Sequence, residues 1–233
     1  MPNWFKWNGA LSTAHGLYVK VHPSFVVPDE RVNFVTIPGR SGTLTQIEGD
    51  GVYNDFIASV ECFVPSPASI PGISLWLRGA GEVVFANQPD VFFKARVVNQ
   101  IEFAKVMRGR PHSTCIVNFR CAPYRYLPIG NEPLDFPVNN SVITNSCAAP
   151  SEPLIRVNGS GDITLMIGGQ IVGLLGVDGY IILDTALKEA YTGVALANHK
   201  MIGDFPLLHP GMSMISWSGV VTSVQITPRW RNL

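Results

Sequence analysis

Ser41 lies between glycines in the segment 37–44, IPGRSGTL, and a serine in that setting suggests a hydrolase nucleophile. A nucleophile elbow needs G-x-S-x-G on a sharp turn from a strand into a helix. Here Gly42 follows the serine directly, one residue short of that spacing, and residues 43–47 alternate like a strand. Pro38-Gly39 between two strand-like runs is typical of a turn. We therefore expect a hairpin or loop tip, with a catalytic Ser41 as the minor alternative.

The other residue types that support catalysis are scattered. The five histidines show no H-x-H or H-E-x-x-H spacing, and they lie at His15, His22, His112, His199 and His209. Glu48, Asp50 and Asp55 surround one turn; paired carboxylates can do acid–base work, but a solvated turn is the expected role. The glycine-rich segment 159–162 lacks the G-x-G-x-x-G pattern of a phosphate-binding loop. The sequence thus predicts no enzyme, no cofactor and no metal site.

Composition favours a protein that associates with other proteins. Charged residues make up 15% of the chain, where soluble domains average about 25%. Seventeen basic and seventeen acidic residues balance, and no basic run is present, which argues against a nucleic-acid binder. A surface covered by partners explains this low charge, and a merely charge-poor β protein is the alternative.

The four cysteines form no C-x-x-C pair, and the N-terminus shows no signal peptide. We therefore expect reduced, buried thiols in a protein made in the cytosol. The apolar run 167–183 is too short and too interrupted for a membrane span.

Turn signals recur at intervals of roughly 8 to 12 residues, which predicts an all-β sandwich or barrel. The signals are Asn8-Gly9, Pro38-Gly39, Asp50-Gly51, Gln88-Pro89-Asp90, Gly109-Arg110-Pro111, Gly168-Gly169 and Asp178-Gly179. Strand-like runs lie between them at 17–21, 32–37, 53–64, 91–98 and 114–120, then at 154–157, 163–167, 171–175, 180–183 and 213–226. Residues 31–37 alternate polar and apolar, which predicts a strand with one solvent-facing side.

Three segments depart from this pattern. Helical spacing of apolar residues predicts a short helix at about 70–79, covering an open end or face of the first sheet, with an irregular loop as the alternative. Residues 185–191 have helical propensity but lie between two strand-like runs, so we favour a loop. Five prolines in 127–153 predict a loosely structured segment and a domain boundary near residue 128.

Several segments, in order, resemble the distal tail proteins of phages with long, non-contractile tails. Those in the first half are FKWNG (5–9), GLYV (16–19), ERVNFVTIPGRSGTL (30–44), GVYNDF (51–56), ISLWLRGAGEVVF (73–85), QPDVFFKARV (88–97) and VNFRCAPYRY (117–126). Those in the second half are VNGSGDITL (157–165), YIILDT (180–185), GDFPLLHPGMSMISW (203–217) and ITPRWRNL (226–233). The resemblance covers nearly the whole chain.

The resemblance implies an all-β protein with one short helix and two domains. Residues 1–128 would form a split β-barrel-like, ring-forming domain of the tail-tube type, and residues 129–233 a galectin-like β-sandwich. The family forms homo-hexameric rings, single or stacked in pairs, at the distal end of the tail. The ring is a structural virion hub between the tail tube protein and the tail-tip or host-adsorption proteins. The tape measure protein is a further expected partner, and DNA passes through the bore without specific binding.

The assembly-contact loop that we predict comprises Pro38, Gly39, Arg40, Ser41 and Gly42, near a contact between subunits or rings. Arg40 would pair there with a carboxylate of a neighbouring subunit; a solvated arginine is the alternative. The second hypothesis for the whole protein is a carbohydrate-binding module, with Asn198, His199 and Trp217 as its candidates. Trp4, Trp7, Trp217 and Trp230 lie near the chain ends and suit core or interface anchors better than sugar stacking.

Overall fold

The computed structural model describes residues 3–47, 49, 51–105 and 112–233. Its contacts divide the chain into unit 1, Met1–Arg125 with Leu233, and unit 2, Tyr126–Asn232. The described residues are mostly β with one short α-helix, which confirms the all-β prediction. The predicted turn at Gly109-Arg110-Pro111, and the residues Glu48 and Asp50, lie outside the described residues.

Unit 1 is built on a curled half-barrel sheet. Its strands are β1 (Phe5–Trp7), β2 (Ala10–Leu11), β3 (Tyr18–Val21), β6 (Phe56–Val64), β7 (Ala80–Phe85), β8 (Phe93–Val97), β9 (Ala104–Lys105) and β10 (Ser113–Cys121). They run in the order β2-β1-β7-β8-β10-β6-β3, with β9 beside β10. Because alternate residues of a strand point to opposite faces, one face of this sheet buries the apolar positions. Phe5, Trp7, Val60 and Phe119 lie fully buried in that core.

The predicted helix is confirmed, although it is shorter than expected. A 3-10 turn at Pro67–Ser69 leads into α1, Ile70–Trp76. Ile73 is buried and Leu77, which follows the helix, is nearly so; both join the core of the sheet. Gly79 then takes a left-handed φ of 88°, so the chain leaves the helix before the predicted end at residue 79.

Two further strands of unit 1 stand apart from this sheet. They are β4 (Val32–Thr36) and β5 (Thr43–Ile47), which pair with each other as a separate two-stranded sheet. We call this hairpin, residues 32–47, the ribbon.

Unit 2 is organised around three long strands. These are β14 (Leu154–Ile167), β15 (Gln170–Asp184) and β19 (Gly211–Thr227). The shorter strands are β12 (Leu134–Phe136), β13 (Ser141–Asn145), β16 (Glu189–Thr192), β17 (Ala195–Leu196) and β18 (Met201–Ile202). The order is β12-β19-β14-β15-β16-β17, with β13 also on β19 and β18 also on β15. The two-residue strands β11 (Arg125–Tyr126) and β20 (Arg231–Asn232) complete the described set.

Two predictions for unit 2 are wrong. Asp178-Gly179 is not a hairpin turn, because β15 runs through it and pairs Asp178 with Ser160 and Gly179 with Gly159. The chain reverses at Gly168-Gly169 instead, as that signal predicted. The proline-rich segment also contains β12 and β13, with Pro133 and Pro137 directly flanking β12. A proline outside a strand removes no ladder hydrogen bond, so it does not prevent pairing.

The loop predicted at 185–191 is confirmed for its first four residues only, because residues 189–191 belong to β16. Residues 185–188 form a turn between β15 and β16, and the helical alternative for that segment is wrong.

Candidate assembly surface

The ribbon is a regular antiparallel hairpin with local sequence reasons to form. Its strands pair from Val32 with Ile47 to Thr36 with Thr43, without a register shift. Residues 37–42 connect them, and Gly39 and Gly42 have φ of 83° and 82°, values that glycine adopts without steric cost. Pro38 through Gly42 therefore lie at the tip of the ribbon, as the turn chemistry predicted.

The base of the ribbon is tied to the rest of unit 1. Glu30 and Tyr53 form an isolated antiparallel bridge. Arg31 N donates to Val52 O at 2.8 Å, and Asn54 N donates to Asp29 O at 2.9 Å. The Arg31 guanidinium also donates to Asn54 Oδ1 at 3.3 Å. The ribbon is thus held at its root, while its strands and tip extend away from these contacts.

Both faces of the ribbon are open and both carry apolar side chains. Phe34 and Ile47 lie on one face, and Val35 and Leu44 on the other. Phe34 is 66% exposed and Leu44 is 44% exposed. The prediction of one solvent-facing side is therefore wrong. The adjacent apolar residues Phe34 and Val35 were the signal, because consecutive residues point to opposite faces.

A two-stranded hairpin without a packed face is marginal in water. None of the ribbon's apolar side chains is fully buried in its own subunit, and Arg40 is its one charged residue. Exposed apolar surface with few charges is the composition of a contact surface between proteins. The ribbon is accordingly the candidate assembly surface of unit 1.

Ser41 is an exposed residue of the tip, and β5 rather than a helix follows it. A nucleophile elbow would place a helix N-terminus directly behind the serine. The local geometry therefore provides no support for the hydrolase hypothesis.

The other candidate residues for chemistry occupy structural positions. Asp55 accepts a hydrogen bond from Arg120 at 2.9 Å on the surface. His15 stacks on Trp76 with ring centroids 4.2 Å apart. Asp162 Oδ1 accepts from Gly176 N at 2.9 Å, next to a register shift in β14. The glycine-rich segment 159–162 is thus part of a β-bulge and does not form a phosphate-binding loop. Within the described ranges, no cluster of His, Cys, Asp and Glu suits a metal ion.

The candidate sugar-binding residues also have structural contacts. Asn198 accepts a hydrogen bond from Ala190 N and donates one to Lys188 O. Trp217 packs against the core of unit 2. Its backbone N–H donates to the Asn139 side-chain oxygen, and its carbonyl oxygen accepts from the Asn139 side-chain nitrogen. His199 is exposed in the 3-10 turn Asn198–Lys200. The structure therefore supplies no observation that favours sugar binding.

The tryptophans near the chain ends divide between the units. Trp7 is fully buried in unit 1, while Trp217 and Trp230 pack against the core of unit 2. A role as core or interface anchors was the preferred interpretation, and these three lie in or against a core.

Unit 2 carries a second exposed apolar surface that the sequence patterns did not reveal. Val142 of β13 pairs with Met214 of β19, while Ile143 and Ile215 beside them point into the core. Met212, which is 82% exposed, lies two residues along the same face of β19. We call Val142, Met212 and Met214 the aliphatic face. Residues 212–215 alternate between exposed and buried side chains. The sequence alone does not show which of them face the core, because that depends on how β19 pairs with β13.

The described part of the chain has no helix with the length and apolar character of a membrane span. No protein-family model matches the sequence, and no curated protein matches it.

The fold is similar to those of two solved phage proteins. The structure is similar to that of the Dit protein of phage SPP1, described as a paradigm of the hub adsorption apparatus in phages that infect Gram-positive bacteria. That likeness covers 100% of both chains, with a TM-score of 0.72 and 14% identity. The structure is also similar to a chain of the phage p2 baseplate in its activated conformation, over 97% of this chain and 98% of that one. There the TM-score is 0.51 and the identity 8%. The resemblance to distal tail proteins is confirmed at the level of the fold.

Proposed function

We propose that this protein is a structural hub subunit of a phage tail. It forms a homo-hexameric ring at the distal end of a long, non-contractile tail and joins the tail tube to the tail-tip or host-adsorption proteins. The observation that supports this most strongly is the likeness to the SPP1 Dit protein, which extends over the full length of both chains. Unit 1 is the ring-forming domain and unit 2 the galectin-like domain in this proposal. The protein acts by geometry, without turnover.

The ribbon supplies the contact between neighbouring subunits. A ring closes through heterologous contacts, in which each subunit offers two different surfaces. A ribbon with apolar side chains on both faces is suited to insertion between two surfaces, because each face then loses contact with water. Burying a side chain such as Phe34 or Leu44 contributes about 1.5–3 kcal/mol. Arg40, at the tip, then pairs with a carboxylate of the neighbouring subunit.

The aliphatic face serves a different contact. Val142, Met212 and Met214 are uncharged and lie in unit 2, outside the proposed ring-forming domain. We assign this face to another protein of the tail tip, which the hub carries. Replacing Met214 should therefore leave ring formation unchanged.

The proposal is tested by measuring the mass of the purified full-length chain across a concentration series, with negative-stain imaging. We expect a hexamer or a pair of hexamers, seen as a sixfold annulus. The double variant Phe34→Ser, Leu44→Ser removes one apolar contact from each face of the ribbon and should shift the mass toward the monomer. Met214→Ser is the matched control, because it also removes an exposed apolar side chain.

The single variant Arg40→Glu tests the contribution of the ribbon tip independently of the ribbon strands. If Arg40 pairs with a carboxylate across the contact, charge reversal should weaken the ring by at least tenfold in dissociation constant, corresponding to about 1.4 kcal/mol. A wild-type chain that remains monomeric at high concentration, without forming an annulus, would overturn the ring. If the ring is unchanged in both ribbon variants, the hub proposal stands, but the ribbon is not the contact between its subunits.

A further inference from the structure

Two cysteines lie directly opposite each other in the central strands of unit 1. Cys62 of β6 is paired with Cys115 of β10, within a ladder that continues from Ser113 with Val64 to Cys121 with Phe56. Both side chains are buried and belong to the same hydrophobic core. Their alignment is therefore fixed by the long ladder and does not depend on a mobile loop.

The backbone hydrogen bonds define the type of pair. Asn118 N donates to Asn99 Oδ1 at 2.8 Å, and Ile116 O accepts from Asn99 Nδ2 at 2.8 Å. These groups of β10 point away from β6. Because successive residues of a strand alternate, the N–H and C=O of Cys115 point toward β6. Cys62 and Cys115 thus form a hydrogen-bonded pair, whose Cα atoms are about 5.5 Å apart in antiparallel sheets.

That spacing falls within the Cα range of disulfides, about 4.4–6.8 Å. The Cβ atoms of opposed residues are about 4.5–5.5 Å apart, which exceeds the mean of about 3.8 Å in a disulfide. Forming the bond must draw the strands together slightly. The resulting strain would make the bond easier to reduce than a typical structural disulfide.

The two thiols occupy opposed positions in the same core, and the Cys62 thiol donates a hydrogen bond to the Val60 carbonyl oxygen at 3.8 Å. A hydrogen bond with Cys115, followed by burial, raises the pKa of Cys62, and the same hydrogen bond lowers the pKa of Cys115. Cys115 is accordingly the better nucleophile, because the thiolate is the reactive form. Cys62 is 1% exposed and Cys115 is 4% exposed, so a small oxidant reaches the sulfurs only when the sheet opens locally.

We infer that Cys62 and Cys115 are a cross-strand thiol pair that a small peroxide converts into a reversible disulfide. The Cys115 sulfur attacks hydrogen peroxide; an S–O bond forms, the O–O bond breaks, and the departing hydroxide takes the thiol proton as water. The Cys62 sulfur then attacks the sulfenic sulfur; the S–S bond forms, the S–O bond breaks, and a second water leaves. Two thiols lose two electrons in total, and one peroxide is reduced to two waters.

Cys121 is a matched internal control. It lies on the same strand and the same face, it is fully buried, and its partner across the ladder is Phe56. Burial, and then the charge of Asp55, raises the pKa of Cys121 to about 12. Cys121 therefore lacks a thiol opposite it, and its raised pKa disfavours the reactive thiolate.

The test treats the folded full-length chain with hydrogen peroxide, removes the peroxide, unfolds the chain in the presence of an alkylating agent that blocks the remaining thiols, and then digests it. We expect two fewer alkylated cysteines, a mass loss of about 2 Da before alkylation, and one linked peptide pair containing Cys62 and Cys115. Dithiothreitol should restore both thiols. This mapping uses the wild-type chain and so does not depend on any variant folding.

Variants identify the roles within the pair. Cys121→Ala should still form the bond, whereas Cys62→Ala should stop at a Cys115 sulfenic acid that dimedone captures. The oxidised chain should melt several degrees higher than the reduced chain, because the bond closes a loop of roughly fifty residues in the unfolded state. The inference is overturned if all four thiols remain alkylatable, or if a linked pair contains Cys121 or Cys147. It is also overturned if Cys62 and Cys115 oxidise independently without linkage.

Discussion

Two hairpins of the molecule have the same local construction and different surroundings. The ribbon and the β14–β15 hairpin are both antiparallel, and both reverse at glycines with positive φ. The β14–β15 hairpin has β19 on one side and β16 on the other, and its inward residues fill the core of unit 2. The ribbon pairs with no other described strand. Pairing of two strands is sufficient to form a hairpin. The elements that pack beside the hairpin determine whether its apolar side chains stabilise the subunit or stay exposed to a partner.

The test with the largest expected effect compares one leucine from each hairpin. Leu165 in β14 is fully buried, and Leu44 in β5 is 44% exposed. Leu165→Ala should lower the free energy of unfolding by about 2–5 kcal/mol, because it leaves a cavity. Leu44→Ala should change it by at most about 0.5 kcal/mol. Urea unfolding of monomeric protein at low concentration measures both, and a large loss for Leu44→Ala would show that the ribbon packs within its own subunit.

The second test concerns the charged residue that ends β15. Asp184 accepts hydrogen bonds from the Arg229 guanidinium at 2.7 and 2.9 Å, and its side chain is nearly buried. Asp184→Asn leaves Arg229 without its charge partner and should cost about 2–3 kcal/mol. Arg40→Glu, at the exposed tip of the ribbon, should leave the stability of the monomer unchanged in the same urea titration. Equal losses in the two variants would contradict the contrast.

The third test adds one methyl group to each hairpin. A Cβ at Gly159 would lie 2.3 Å from the Val220 carbonyl oxygen, whereas a Cβ at Gly39 meets no atom within 4 Å. Gly159→Ala should cost about 1–3 kcal/mol through overpacking. Gly39→Ala should cost about 1 kcal/mol through its left-handed backbone alone. Thermal unfolding followed by circular dichroism distinguishes them, and a harmless Gly159→Ala would place β14 and β19 farther apart than described.

The smallest expected effect is a pH dependence confined to unit 2. Burial alone would raise the pKa of Asp184, but the hydrogen bonds and charge of Arg229 outweigh it and hold that pKa below its ordinary value. The pair therefore stabilises the folded state above the unfolded pKa of about 4. That contribution is lost as the pH falls through the lower, folded pKa. Wild type should lose stability over this acidic window, and Asp184→Asn should lose less.

Local patterns in the sequence predicted much of the fold. Helical spacing of the apolar residues at about 70–79 identified the helix, because this signal acts within a few residues. The same is true of the turns at Pro38-Gly39 and Gly168-Gly169. Asp178-Gly179 has an equally good turn signal, yet it continues a strand. The long partner strand β14 pairs across it, and a partner so distant in sequence leaves no local mark.

The sequence indicated where the candidate assembly surface lies, but it did not reveal that the surface is formed by exposed apolar strands. Residues 38–42 were expected at a contact, and that role is still a prediction. The exposed strands behind them, and the aliphatic face of unit 2, were missed. A strand residue is exposed or buried according to what packs on its face, and residues far away in the sequence provide that packing.

The sequence by itself determined where many of the strands extend, that the chain turns at Pro38-Gly39 and Gly168-Gly169, and where the short helix begins, because these depend on neighbouring residues and on backbone sterics. The tertiary structure alone decided that Leu165 is covered while Leu44 faces water, and that Cys62 meets Cys115 across a ladder. Those outcomes depend on the register and neighbours of paired strands, which the folding of the whole chain establishes.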